Sequence, residues 1–141
     1  MNSLNWFLAP LFIHVALTAY VGLRTVSNRI ASVMKGETKL AKIALDSSQW
    51  PPQVKKWGNN FDNQFDVPTT WYALSALIVA TFKIEMAFIV LSWAFVATRL
   101  LHTYIHTGSN YIRHRMYAYL AGFGTLVAMW IWFAFRLFMA A

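Results

Sequence analysis

Four apolar runs, each near the length needed to cross a bilayer, constrain this chain more than any other feature. They extend from Asn5 to Leu23, about Val67 to Phe82, Met86 to about Ile105, and Tyr111 to about Met139. Hydrocarbon offers no partner to a free N–H or C=O, so a run that enters it must satisfy its backbone internally, as a helix. About twenty residues suffice for a core of about 30 Å. Composition agrees: only 12% of residues are charged against 58% hydrophobic, too little charge to disperse a soluble domain. The expected fold is an all-α integral membrane protein, a four-transmembrane-helix bundle forming one domain over residues 1–141. Its spans are expected at about 5–24, 67–83, 86–106 and 112–139, with a cytoplasmic loop at about 30–58.

Charge sets the expected topology. The net charge of +7 lies in short connections between apolar runs, with no interleaved basic and aromatic patch, so nucleic acid is not an expected partner. The first connection carries Arg24, Arg29, Lys35, Lys39, Lys42, Lys55 and Lys56, the third carries Arg113 and Arg115, and the second only Lys83. The positive-inside rule then puts both termini outside and the first and third connections in the cytoplasm. The N-terminus lacks a basic n-region and a small-residue cleavage site, so no removable signal peptide is expected. With no cysteine, the chain has no disulfide, no thiolate nucleophile and no Cys-ligated metal of its own.

Local signals place the elements. The first helix is expected to run past the membrane through Arg24 and Arg29 until Gly36 stops it. His14 has two readings, a hydrogen bond to a neighbouring helix or an axial haem or metal ligand. Lys39–Leu45 suits a short amphipathic turn in the headgroups, Pro51-Pro52 suits a helix start, and Trp50 and Trp57 suit the interface. Before the second span, Asn59, Asn63, Asp66 and Thr70 form a single polar stripe if a helix already exists there. Alternatively, Asp66 N-caps a helix that starts at Val67-Pro68. Ser109 or Asn110 is the expected N-cap of the fourth helix, and Arg136 is expected to snorkel to the far interface.

The segment Arg99–Arg115, RLLHTYIHTGSNYIRHR, holds the densest charge next to apolar sequence. Arg99, His102 and His106 share one helical face, and charge so deep in apolar sequence is costly and marks a candidate site. Arg99 and His102 are expected to tie helices together. Arg113, near the start of the fourth helix, is favourably placed for an anion by free N–H groups and the macrodipole. Membrane lipid phosphates are the simpler partners of Arg113 and Arg115. His102 and His106 have metal-ligand spacing, but no third ligand or HExxH motif accompanies them, and no metal site is assigned. No nucleophile elbow or glycine-rich phosphate loop is present. Arg29, Asp66, His106 and Arg113 are expected to meet at the cytoplasmic edge.

With these residues laid out, nearly the whole chain resembles the MAPEG family, the membrane-associated proteins in eicosanoid and glutathione metabolism, in its bacterial-type branch. ALTAYVGLRTVSNR resembles the family's first-helix end with its ligand-binding arginine at Arg29. NNFDNQFDVP resembles the second-helix Asn-x-x-Glu motif, with Asn63 and Asp66 in those places. RLLHTYIHTGSNYIR resembles the third-helix arginine and the spacing to a fourth-helix arginine, Arg113. The resemblance implies a homotrimer in a bacterial inner membrane that holds glutathione between subunits. Lipophilic electrophiles or lipid hydroperoxides would be second substrates. Arg113 would stabilise the glutathione thiolate as the catalytic residue, with Arg29, Asn63, Asp66, His102 and His106 binding the tripeptide. The resemblance also admits a non-catalytic membrane binding or accessory protein. Asp66 stands where the family has Glu, Val67 where some members have Tyr, and Asn59 where a basic residue often opens the motif. His102 and His106 occupy positions that are Tyr in some glutathione-using members.

Overall fold

The computed structural model describes residues 2–44 and 46–139. Among these residues six α-helices follow in order: α1 Ser3–Met34, α2 Leu40–Ile43, α3 Pro52–Asp62, α4 Val67–Ala80, α5 Met86–Thr107 and α6 Ile112–Phe138. Asn2 caps α1 by accepting the Asn5 N–H at 2.9 Å. The helix then continues for 32 residues, about 48 Å at 1.5 Å per residue, so its C-terminal part projects beyond a hydrocarbon core. It stops as the sequence predicts: Gly36 takes φ +71°, the left-handed conformation that glycine adopts without a Cβ penalty. The Lys39–Leu45 turn is the single-turn helix α2, with Leu45 itself outside the described residues. Asp46 then caps a 3₁₀ turn, Ser47–Gln49. Hydrogen bonds from Ser48 and Gln49 pull its carboxyl down to about 2. Pro52 opens α3.

Among the described residues three helices, α1, α5 and α6, are long and apolar enough to cross a membrane. The second predicted span differs. The segment before it is a separate amphipathic helix, α3, and α4 has only 14 residues, about 21 Å. Pro68 explains the break, because without an N–H it cannot bond the carbonyl of residue 64 and carry α3 onward. Asp66 takes the N-cap position of α4 but its side chain makes no capping bond. Neither sequence reading survives whole: the stripe is interrupted, and the cap is positional only. The start of α6 also differs. Tyr111, not Ser109 or Asn110, is the N-cap residue. Asn110 instead takes φ +53°, and its Oδ1 accepts the Arg115 guanidinium at 2.9 Å.

The apolar core lies where α4, α5 and α6 meet the start of α1. Trp71, Leu74 and Ile78 of α4 pack with Phe88 and Phe95 of α5, Met129 and Phe133 of α6, and Phe7 of α1. The Trp71 ring lies 4.7 Å from Phe95, and its indole N–H donates to Ser92 at 3.1 Å, so even this polar atom is satisfied. At one end of the bundle the Lys56 ammonium donates to the Gly108 carbonyl at 3.0 Å, bringing the first and third connections together. At the other end Arg136, rather than reaching past the bundle alone, pairs with Glu85 at 2.6 Å.

Candidate functional site

At the Gly108 end, α3, α5 and α6 enclose a cleft of about 580 Å³. From α3 and its C-terminus come Asn59, Asp62 and Asn63. From α5 come His102 and His106, and from α6 Ile112, Arg115, Met116 and Tyr119. The two histidines share a face because they are four residues apart, and their rings meet edge to face at 5.4 Å. Each has one nitrogen fixed. His102 Nδ1 donates to the Arg115 carbonyl at 3.3 Å, tying α5 to the first turn of α6. His106 Nδ1 accepts from the side-chain amides of Asn60 at 3.2 Å and Asn63 at 3.5 Å, which leaves its proton on Nε2.

Behind the cleft wall lies a buried amide layer. Asn60 is fully buried, and Gln64, one turn on, donates to the Asn60 carbonyl at 3.0 Å and to Thr103 Oγ1 at 3.3 Å. This layer holds the end of α3 against α5 and gives His106 a fixed tautomer. Below the floor is Arg99, 3% exposed, with no ion-pair carboxylate among the described residues. Its guanidinium reaches the carbonyls of Tyr119 at 3.2 Å and Ala118 at 3.4 Å and lies over the rings of Phe95 and Tyr119. Gly122 makes this berth possible, since a Cβ there would collide with the Arg99 guanidinium and the Thr98 hydroxyl. Arg99 and His102 thus both tie α5 to α6, as expected.

The predicted site residues divide. Asn63, His102 and His106 meet in the cleft. Arg29 does not line it: on the exposed face of α1 its guanidinium lies over Trp50 at 5.5 Å and near Gly58. Asp66 is exposed beyond the break after α3. Arg113 is exposed on the first turn of α6, two residues and so about 200° of helix away from Arg115, which faces the cleft. His14 is hydrogen-bonded to a neighbouring helix, its Nδ1 lying 2.7 Å from Tyr72 Oη of α4. Sequence reasoning missed Asp62, Asn60, Gln64 and Tyr119. For Asn60 and Gln64 the available signal was the i, i+4 spacing on the face of α3 that also buries Val54 and Trp57.

Chemically, the cleft offers a guanidinium, two imidazoles, two amides and a carboxylate at the start of a long helix. Such a set suits a polar molecule carrying both anionic and cationic groups. On its outer side Ile112 and Met116, 67% and 47% exposed, continue the wall onto the apolar surface of α6. The MAPEG family model matches residues 7–135 of the chain, whereas no curated protein and no solved structure matches it.

Proposed function

The chain belongs to the MAPEG family, and on that premise we propose that it is a glutathione-dependent transferase or peroxidase acting on lipophilic electrophiles or lipid hydroperoxides. It is a membrane protein of that family, and the finer reading rests on one observation. The cleft that joins Asn59, Asp62 and Asn63 to His102, His106 and Arg115 borders the lipid-facing surface of α6. Glutathione needs this combination: Arg115 and the N-terminus of α6 for a carboxylate, Asp62 for the ammonium, and the amides and imidazoles for its peptide groups. The cysteine-free chain would use the tripeptide's thiol as nucleophile. A nearby guanidinium favours the thiolate. The thiolate displaces a leaving group such as chloride from an electrophilic carbon to give a thioether, or it cleaves the O–O bond of a hydroperoxide and releases the alcohol. The latter reaction leaves a glutathione sulfenic acid, which a second glutathione converts to the disulfide and water.

In this reading α3 and α4 together form the second, broken crossing of a four-span bundle. A homotrimer accounts for Arg113, because a residue that leaves its own cleft from the exposed face of α6 is available to a neighbouring copy around a threefold axis. Arg113 would there complete the site as the thiolate-stabilising residue, with Arg29 and Asp66 approaching from neighbouring elements. The termini lie outside, and the first and third connections face the cytoplasm of a bacterial inner membrane. A cysteine placed at Ser47 should then be shielded from impermeant thiol reagents in intact cells, and labelling there would reverse the orientation.

The deciding experiment measures glutathione-induced thermal stabilisation and turnover of a hydrophobic chloronitrobenzene in detergent. Arg115→Ala should remove the stabilisation, whereas Arg113→Ala should remove turnover and spare at least part of the binding. No effect of millimolar glutathione on the parent protein would overturn the reading. It would favour a non-catalytic binding or accessory protein, a role to which the departure of Arg113 and Asp66 from the cleft also points.

A further inference from the structure

Of the two imidazoles in the cleft wall, only one offers a ring nitrogen to a ligand. The Nε2 of His102 is enclosed by protein and has no partner. His106 also lines the cleft, but its Nε2 is not enclosed, and among the described residues its bonds run through Nδ1 alone.

What His106 Nε2 carries is fixed from behind the wall. The Asn60 carbonyl can only accept, so the Gln64 atom 3.0 Å from it is the amide nitrogen. That nitrogen also lies 3.3 Å from the Asn60 side chain, which therefore turns Oδ1 to Gln64 and Nδ2 to His106. Nδ2 of Asn60 at 3.2 Å, joined by Nδ2 of Asn63 at 3.5 Å, needs an acceptor, so Nδ1 is bare and the proton sits on Nε2. Protonating Nδ1 as well would set N–H against N–H in a buried layer, so the ring stays neutral. Asn60 is fully buried and Gln64 nearly so, which holds both amides in this sense. His106 thus presents the cleft with a neutral N–H that donates and does not accept.

We propose that His106 is a catalytic residue of hydroperoxide reduction, with Asn60 and Gln64 as its positioning residues. Its Nε2–H donates to the oxygen that departs when the glutathione thiolate breaks the O–O bond. This rests on the glutathione reading above, and it moves His106 from the peptide groups, which the amides can serve, to the reacting oxygen. The sulfur takes the terminal oxygen with its hydrogen as a sulfenic acid, and the O–O electron pair leaves on the inner oxygen as an alkoxide. The alkoxide takes a proton from water, replacing the one the thiol gave up. A second glutathione then turns the sulfenic acid into disulfide and water. An alkoxide is strongly basic, so a preplaced neutral donor lowers the barrier as the charge appears. Chloride leaving an aromatic carbon is a weak base and gains little from the same donor.

The test uses the full chain in detergent with excess glutathione, and compares turnover of cumene hydroperoxide with that of a chloronitrobenzene. His106→Phe should lower reduction about a hundredfold more than conjugation, the usual value of one oxyanion donor. His106→Gln, whose amide N–H can replace Nε2–H, should restore about tenfold of that difference. Asn60→Asp reads the positioning, because a carboxylate there accepts from Nδ1 and draws the proton to it. The other groups facing His106 are Lys56 and Asp62 of α3, His102 of α5 and Arg115 of α6, unchanged in that variant. The thiolate fraction cancels in the ratio of reduction to conjugation, so the parent ratio should stay flat from about pH 5 to 8. In Asn60→Asp the ratio should hold at low pH, where an imidazolium still donates from Nε2. It should fall as rising pH leaves the only proton on Nδ1. If His106→Phe does not fold, this profile decides, and a flat one would overturn the proposal. Equal losses of both reactions in the His106 variants would also overturn it, leaving His106 to bind the tripeptide. So would a parent that conjugates but reduces no hydroperoxide, with the glutathione reading intact. No effect of glutathione on the parent would remove both.

Discussion

The two ends of this bundle are held together by different physics. At the Gly108 end the helices meet through polar side chains: Lys56 to the Gly108 carbonyl, Asn60 to His106, Gln64 to Thr103, and Arg115 to Asn110. At the other end α4, α5, α6 and the start of α1 meet through Trp71, Ile78, Phe88, Met129 and Phe133, with the Arg136–Glu85 pair at the margin. Buried polar atoms without partners occur towards both ends: on Gln64, Arg99 and His102 at the polar one, and on Ser75 and His14 beside the apolar core. A buried polar atom left unpaired costs stability, whereas packed apolar rings leave nothing unsatisfied. The apolar end holds the fold through packed rings, and the polar end gathers the charged and hydrogen-bonding groups of the proposed site.

Removing Trp71 tests the apolar end most severely. Trp71→Ala should destabilise the detergent-solubilised protein by about 3–5 kcal/mol, the usual cost of deleting a buried large aromatic. A loss under about 1 kcal/mol would show that the core is not organised around this ring. Asn60→Ala tests the polar end, where it leaves His106 Nδ1 with only the longer bond from Asn63 and loosens Gln64. The expected loss is about 1–3 kcal/mol, with weakened ligand protection at the cleft that Trp71→Ala does not reproduce in the fraction still folded. If both variants lost ligand protection equally, the division of labour would fail.

Gly122→Val should cost about 1–3 kcal/mol by overpacking the Arg99 berth. Combining it with Arg99→Met, which removes the guanidinium that collides, should restore part of that loss. Purely additive effects would show that the two residues do not share the site. The smallest effect belongs to Arg136→Ala. Both partners are partly exposed, 36% and 28%, so the pair should contribute no more than about 1 kcal/mol and weaken with salt. A larger loss would mean that the apolar end also depends on charge.

The sequence by itself determined the class of fold and much of the chain's punctuation. The apolar runs allow only helices in hydrocarbon, Gly36 ends the first of them, Pro52 opens α3, and Arg99 with His102 falls on one face of α5. These follow from periodicity and from backbone rules local to each residue. The tertiary structure decided which polar residues meet. Asn60 and Gln64 share only an i, i+4 spacing with the buried face of Val54 and Trp57, and they become a buried layer because α3 lies against α5. Arg115 faces the cleft instead of Arg113 because Asn110 adopts a left-handed turn and Tyr111 starts the helix, which fixes the rotation of α6. The polar stripe through Asn59, Asn63 and Asp66 is divided because Pro68 cannot continue the helix, and a break of a few residues turns Asp66 away. Helix formation is decided within a few residues of chain, whereas the rotation of one helix against another depends on packing partners distant in sequence.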